Sequence, residues 1–265
     1  MLSNHPLSDK SIFLERQLSP PFAMLTAADY PTAVWLSRAG VDLILVGDSL
    51  ANVELGLAST TQVGMDIMLH HAAAVLRGAK DTPVIVDMPF DAYQPEGSDA
   101  LLNARKFIDL GCAAVKVEWF SRCPQVVRLL CDGGIKVMGH VGLTPQTAQN
   151  FNVRGRTQQE AEGIVRQSLE LEQSGCFAVV LECVPESLAQ RITAVLRIPS
   201  IGIGAGRFCD GQVLVTNDML GLNAGKLPRF VKPYAALGEA TVAAVQAYTK
   251  DVHSAVFPGP EQTYR

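Results

Sequence analysis

Residues 83–118 read PVIVDMPFDAYQPEGSDALLNARKFIDLGCAAVKVE. Two short apolar runs, 83–87 and 113–118, flank a stretch over 98–110 in which Leu101, Ala104 and Ile108 recur three and four residues apart. That spacing puts them on one face of a helix, whereas short β-branched runs suit strands buried on both sides. Gly111 follows the helical stretch, where a left-handed residue commonly closes a helix. A helix between two strands is a crossover, and a crossover makes its strands parallel.

The same unit recurs in both directions. Further strands are expected at 22–26, 42–46, 135–140, 177–182, 199–203 and, least distinctly, 212–216. Helices are expected at 32–39, 65–78, 160–174 and 186–196, with Gly40 and Gly175 placed as Gly111 is. Eight such units in about 250 residues predict a (β/α)8 barrel, although an open doubly wound sheet would produce a similar rhythm. No shift in composition divides the chain, so a single domain over 1–265 is expected. Residues 1–20 form an N-terminal arm or extra helix in this reading, and a helix with a Pro- and Gly-containing tail follows from about 234.

Hydrophobic residues at 48% against 18% charged exclude a disordered chain. The net charge of -4 lacks the basic excess that binding to phosphate backbones requires, so nucleic acid is not an expected partner. The apolar runs fall short of the roughly 20 residues that span a bilayer, and residues 1–17 lack the pattern of a secretory signal. The six cysteines have no C-x-x-C spacing, which argues against a zinc knuckle or redox dithiol. No membrane association and a cytoplasmic location with reduced thiols are the expectations.

In a parallel barrel the chemistry sits where the strands end. Five successive strands end in polar residues: Val46-Gly47-Asp48-Ser49, Val86-Asp87, Lys116-Val117-Glu118, Gly139-His140 and Leu181-Glu182. Asp48 and Asp87 converging on one mouth would repel unless a cation lay between them, and Mg²⁺ is typically held by one or two carboxylates plus water and substrate oxygens. Each could instead cap the helix that follows it. Lys116 and Glu118, two apart, share a face, either as part of the site or as a structural pair. Glu182, at the end of an apolar strand, is a candidate general base, with helix capping or a buried ion pair as the alternative. His140 could orient or protonate a developing enolate oxygen, or be a structural histidine. The loop Gly202-Ile203-Gly204-Ala205-Gly206 could admit a phosphate or simply turn tightly.

The ordered runs resemble the ketopantoate hydroxymethyltransferase family. They are Met24-Leu25-Thr26-Ala27, Val46-Gly47-Asp48-Ser49-Leu50, Asp87-Met88-Pro89-Phe90, Val115-Lys116-Val117-Glu118, Gly139-His140-Val141-Gly142-Leu143-Thr144-Pro145-Gln146, Leu181-Glu182-Cys183-Val184-Pro185 and Ile201-Gly202-Ile203-Gly204-Ala205-Gly206. Asp210-Gly211-Gln212 and Phe257-Pro258-Gly259 extend the likeness over nearly the whole chain. The resemblance implies a TIM barrel of the phosphoenolpyruvate/pyruvate-binding type, a homodecamer, and one Mg²⁺ per subunit. It implies transfer of a hydroxymethyl group from 5,10-methylenetetrahydrofolate to 3-methyl-2-oxobutanoate, giving 2-dehydropantoate (ketopantoate) and tetrahydrofolate in pantothenate and coenzyme A synthesis. It further implies that Asp48, Asp87 and Glu118 surround the metal, and that Ser49 and Lys116 hold the 2-oxo acid. Asp48, Asp87 and His140 line the same site, and Glu182 is the base.

The chain departs from the family pattern at Ala28 before Asp29, at Ala51, at Trp119-Phe120 after Glu118, and over 151–156. These changes alter bulk near the mouth and bear on acceptor size and folate fit. Two other readings stay open at this point. One is a carbon–carbon lyase or phosphonomutase with the same barrel; a lyase would carry a reactive cysteine motif, which is absent near Glu118. The other is a catalytically silent paralogue, against which the intact Asp48, Asp87, Lys116 and Glu182 argue.

Overall fold

The structure is a computed structural model that describes residues 21–95, 98–150, 152–223 and 225–264. The arm or helix expected over 1–20 lies outside the described residues. Along the chain come β1 (Phe22–Thr26), α1 (Tyr30–Ala39), β2 (Leu43–Val46), α2 (Leu50–Val53), α3 (Met65–Ala79), β3 (Val84–Asp87), α4 (Phe90–Tyr93) and α5 (Ala100–Leu110). Then follow β4 (Ala114–Glu118), α6 (Cys123–Asp132), β5 (Val137–Gly142), α7 (Gln158–Gln173), β6 (Ala178–Glu182), α8 (Glu186–Val195), β7 (Ser200–Ile203) and β8 (Gly211–Leu214). The eight strands close in sequence order, every pair parallel, with β8 returning to β1. The closed barrel is the architecture expected, and the open doubly wound alternative is excluded.

The chain separates into two compact units, 1–215 and 216–265. The barrel accounts for the first. The second contains α9 (Thr216–Met219) and α10 (Leu237–His253), the helix expected beyond 234.

Local signals set the helix ends. Asp29 caps α1 by accepting from the backbone N–H of Thr32 at 2.7 Å, and Gly40 ends it with φ 78°. Thr157 and Glu160 cap α7 reciprocally, satisfying two N–H groups that an open helix end would leave unpaired. β5 begins two residues later than the apolar run at 135–140 suggests. Ile135 is buried, but its N–H bonds back to Leu130 O as the exit of α6, so ladder pairing starts at Val137. α6 itself escapes the expected set; only Cys123, Val127 and Leu130 are buried along it.

Strand alternation separates two environments. Met24, Leu45, Ile85, Ala114, Met138, Val180, Ile201 and Val213 belong to one cluster that fills the barrel interior. The opposite strand faces, such as Ile44, Val86, Val115 and Leu181, pack into the larger core shared with the surrounding helices. Two residues past the interior layer, on the same faces, stand Asp87, Lys116, His140 and Glu182. The apolar layers thus floor a polar mouth.

Candidate active site

Asp87 and Lys116 are register partners across β3 and β4, and Lys116 Nζ lies 2.9 Å from Asp87 Oδ1. The other carboxylate oxygen, Oδ2, accepts the backbone N–H of Asp48 at 3.0 Å. A Cβ on the intervening Gly47 would crowd Ser49 Oγ, at 3.1 Å. Ser49 occupies the N-terminal position of α2 with no side-chain capping bond. Pro89 holds the equivalent place before α4. Neither aspartate therefore serves as a helix cap; both carboxylates are buried and turned into the mouth. Lys116 pairs with Asp87 rather than with Glu118, which removes the structural Lys–Glu alternative.

Glu118 and His140 are partners across β4 and β5. His140 Nδ1 lies 3.4 Å from Glu118 Oε1 and 3.4 Å from Lys116 Nζ, while its Nε2 lies 3.2 Å from Glu182 Oε2. The imidazole therefore stands between two carboxylates. Glu182 is held by an unusual backbone. Its register partner Gly142 has φ 95°, and a Cβ there would be 2.3 Å from Glu182 O. The next residue, Cys183, has φ 49°, a left-handed conformation that costs a non-glycine residue about 1–3 kcal/mol. Side-chain exposure of 17% for Glu182, against 2% for His140, makes it the more open of the pair, where a substrate carbon can reach it.

Burial, reinforced by Asp87 and Glu118, pushes the Asp48 carboxyl up to about 8 against the opposing pull of Lys116 and Gln146. Burial and Lys116 disfavour a charged His140, but its bonds to Glu118 and Glu182 outweigh them and raise it to about 9. Lys116 is likewise opposed by burial, yet Asp87, Glu118 and Asp48 hold it above its ordinary value. The mouth thus has more carboxylate than its own cations neutralise, and one acid keeps a proton that a divalent cation would displace. Asp87 Oδ1 faces the Lys116 ammonium. Among the described residues no three His, Cys, Asp or Glu side chains form a ready-made metal cluster. Glu118 Oε2 instead accepts the backbone N–H of Gln146 at 2.9 Å. Two hard carboxylates, with no cysteine or second histidine beside them among the described residues, suit Mg²⁺ rather than a closed zinc site.

The family model described as ketopantoate hydroxymethyltransferase matches residues 10–260. The chain belongs to that family. It is 49% identical over 245 residues to the 3-methyl-2-oxobutanoate hydroxymethyltransferase of Heliobacterium modesticaldum, covering 91% of this chain and 89% of the relative. It is 50% identical over 246 residues to the enzyme of that name from Moorella thermoacetica, covering 91% of each. In fold it is similar to a phosphonopyruvate hydrolase solved with oxalate and Mg²⁺, with a TM-score of 0.65 at 11% identity over 96% of this chain and 93% of that one. As a member of the ketopantoate hydroxymethyltransferase family the chain is a transferase enzyme acting on a small molecule. No helix among the described residues is long and apolar enough to cross a membrane.

Several features of this family member escape sequence reasoning. Tyr93, Gln94 and Gln146 form a buried hydrogen-bonded group beneath Asp48 and Glu118. Gln146 stands in a quoted motif, but nothing in a lone glutamine signals which carboxylate it meets. Trp119 and Phe120 are half-buried against the core. Phe120 packs edge-on to Tyr93, ring centroids 5.7 Å apart. In the glycine-rich loop after β7, Gly204 and Gly206 have φ 62° and 78°, the left-handed conformations of a tight turn.

Proposed function

We propose that the chain converts 3-methyl-2-oxobutanoate, 5,10-methylenetetrahydrofolate and water to 2-dehydropantoate and tetrahydrofolate, with Asp48 and Asp87 holding Mg²⁺. Glu118, bonded to the Gln146 backbone N–H, would add negative charge beside that cation. When bound, the cation supplies Lewis-acid stabilisation of negative charge on the oxo acid's oxygens. Ser49 and Lys116 bind the substrate carboxylate, the ammonium offsetting its charge within a site shielded from water. Glu182 takes the C3 proton. His140, placed between Glu182 and Glu118, holds the base in position and disperses the charge that follows proton transfer. The carbon so activated takes up the one-carbon unit, and the new hydroxyl oxygen comes from water.

The observation that carries this reading is the placement of His140 Nε2 3.2 Å from Glu182 Oε2, in the same mouth as the Asp87–Lys116 pair. The chemistry requires a base directly beside an anion-binding and cation-binding site. Ketopantoate formation by the purified protein, followed with Mg²⁺ and with chelator, tests it. Metal-dependent product is expected; folded protein that gives none with either would overturn it.

The reading also carries a cytoplasmic homodecamer. Free cysteines throughout the described chain suit a reducing compartment. Assembly is supported by α10, which has no buried residue yet bears Val242, Val245 and Tyr248. Native mass spectrometry tests the assembly; a monomer would overturn it.

A further inference from the structure

Gln146 reaches four partners with one side chain. Its Nε2 donates to Asp48 Oδ2 at 2.8 Å and to Met88 O at 3.0 Å. Its Oε1 accepts from Tyr93 Oη at 2.6 Å and from Gln94 Nε2 at 2.8 Å. An amide has two donor hydrogens and two acceptor lone pairs, so every valence is used. The partners also fix which way the amide points: a flip would set Oε1 against a carboxylate and a carbonyl, and Nε2 against two donors. The backbone N–H of the same residue donates to Glu118 Oε2 at 2.9 Å.

Tyr93 extends the lock. Its hydroxyl accepts from the backbone N–H of Glu118 at 2.9 Å and from Gln94 Nε2 at 2.9 Å while donating to Gln146. Gln94 is tied in turn, its carbonyl accepting from Arg122 Nη2 at 3.0 Å. All three side chains are buried. A fully satisfied buried network holds its members rigidly, and a buried group left unpaired is costly. The residues that follow β2 and β3 are thereby bolted to the Gln146 side-chain amide, and the end of β4 to the Gln146 backbone N–H and the Tyr93 hydroxyl.

We infer that Gln146 is a positioning residue that sets the orientation of the Asp48 carboxylate toward the cation, with Tyr93 and Gln94 fixing Gln146 in its turn. This rests on the reading of the mouth as a divalent metal site. Gln146 touches neither the oxo acid nor the folate in this role; it acts through Asp48. A carboxylate that receives a donor on one oxygen is held with the other free for a metal, and outer partners of this kind typically govern about 10–100-fold in metal affinity or activity.

The test is Mn²⁺ binding by electron paramagnetic resonance and by calorimetry, without substrate, for the wild type, Gln146→Met and Tyr93→Phe. Gln146→Met is expected to keep its circular dichroism and to bind Mn²⁺ at least about tenfold more weakly. Its turnover should recover toward the wild-type value as Mn²⁺ is raised, a rescue that general damage to the fold would not allow. Wild-type affinity in Gln146→Met would overturn the inference while leaving the metal reading intact. Absence of Mn²⁺ binding by the wild type would overturn that reading and the inference with it. Should Gln146→Met fail to fold, Tyr93→Phe decides in its place: weaker binding rescued by metal supports the lock, and unchanged binding overturns it.

Discussion

Lys116 Nζ stands 2.9 Å from Asp87 Oδ1, and both side chains are almost wholly out of solvent. This pair carries the electrostatics of the mouth. Removing the ammonium would leave Asp87 without its ion-pair partner, with the Asp48 and Glu118 carboxyl groups close by. Breaking a buried pair from one side costs about 3–5 kcal/mol. Lys116→Met is therefore expected to melt several degrees below the wild type in chelator, and Mg²⁺ should recover part of the loss. Calorimetric melts with and without metal check this; an unchanged melting temperature in chelator would contradict it.

Stability of the metal-free protein should fall as pH rises. Asp48 in the folded chain keeps its proton up to about 8, whereas its ordinary value is 3.8. The folded state thus binds that proton more tightly than the unfolded chain, so the contribution is complete below 3.8 and is lost as pH rises through about 8. His140, raised from 6.5 to about 9, acts in the same direction: its contribution is complete below 6.5 and gone above about 9. Mg²⁺ competes with the Asp48 proton, so the stabilisation it confers should be larger at pH of about 9 than of about 6. Melts across that range settle the point, equal Mg²⁺ shifts at both ends being the contrary result.

Metal binding near neutral pH should also release a proton. Asp48 is protonated there in the metal-free protein and ionised once it is a ligand. Calorimetry of Mg²⁺ binding in buffers of different ionisation enthalpy reads this directly. Release of about one proton near pH 7, declining above pH of about 8, is expected; heats independent of buffer would count against Asp48 as a ligand.

Much of this architecture is readable along the chain, and the reasons are physical. The strands are short apolar runs bounded by glycine, proline or a polar residue, and seven of the eight are found within one residue of their observed start, as for Val84 after Pro83 and Ala114 after Ala113. β5 slips because the apolar Ile135 closes a helix before the strand begins. The site aspartates, Lys116, His140 and Glu182 are legible since a charge at the end of a buried strand has few other uses. Gln146, 98 residues from Asp48 in sequence, is not. An uncharged side chain on a loop shows its partner only when the barrel closes.

Gly142 offers a test of how tightly the base is held. A methyl group there would meet Glu182 O at 2.3 Å in a backbone with φ 95°, so Gly142→Ala must displace the end of β6 or β5. A cost of about 1–3 kcal/mol in stability is expected. Activity should fall at least about tenfold, since a misplaced base loses much of its effect. Assays at a temperature where the variant remains folded separate the two effects, and wild-type turnover there would show that Glu182 tolerates movement.

The most direct measurement is exchange of the C3 proton of 3-methyl-2-oxobutanoate in deuterated water, followed by proton NMR without folate, for the wild type and Glu182→Gln. The wild type with Mg²⁺ should exchange, chelator should suppress the exchange, and Glu182→Gln should slow it by at least about a hundredfold while still binding the oxo acid. Exchange by Glu182→Gln at the wild-type rate would remove Glu182 from the role of base and contradict the account.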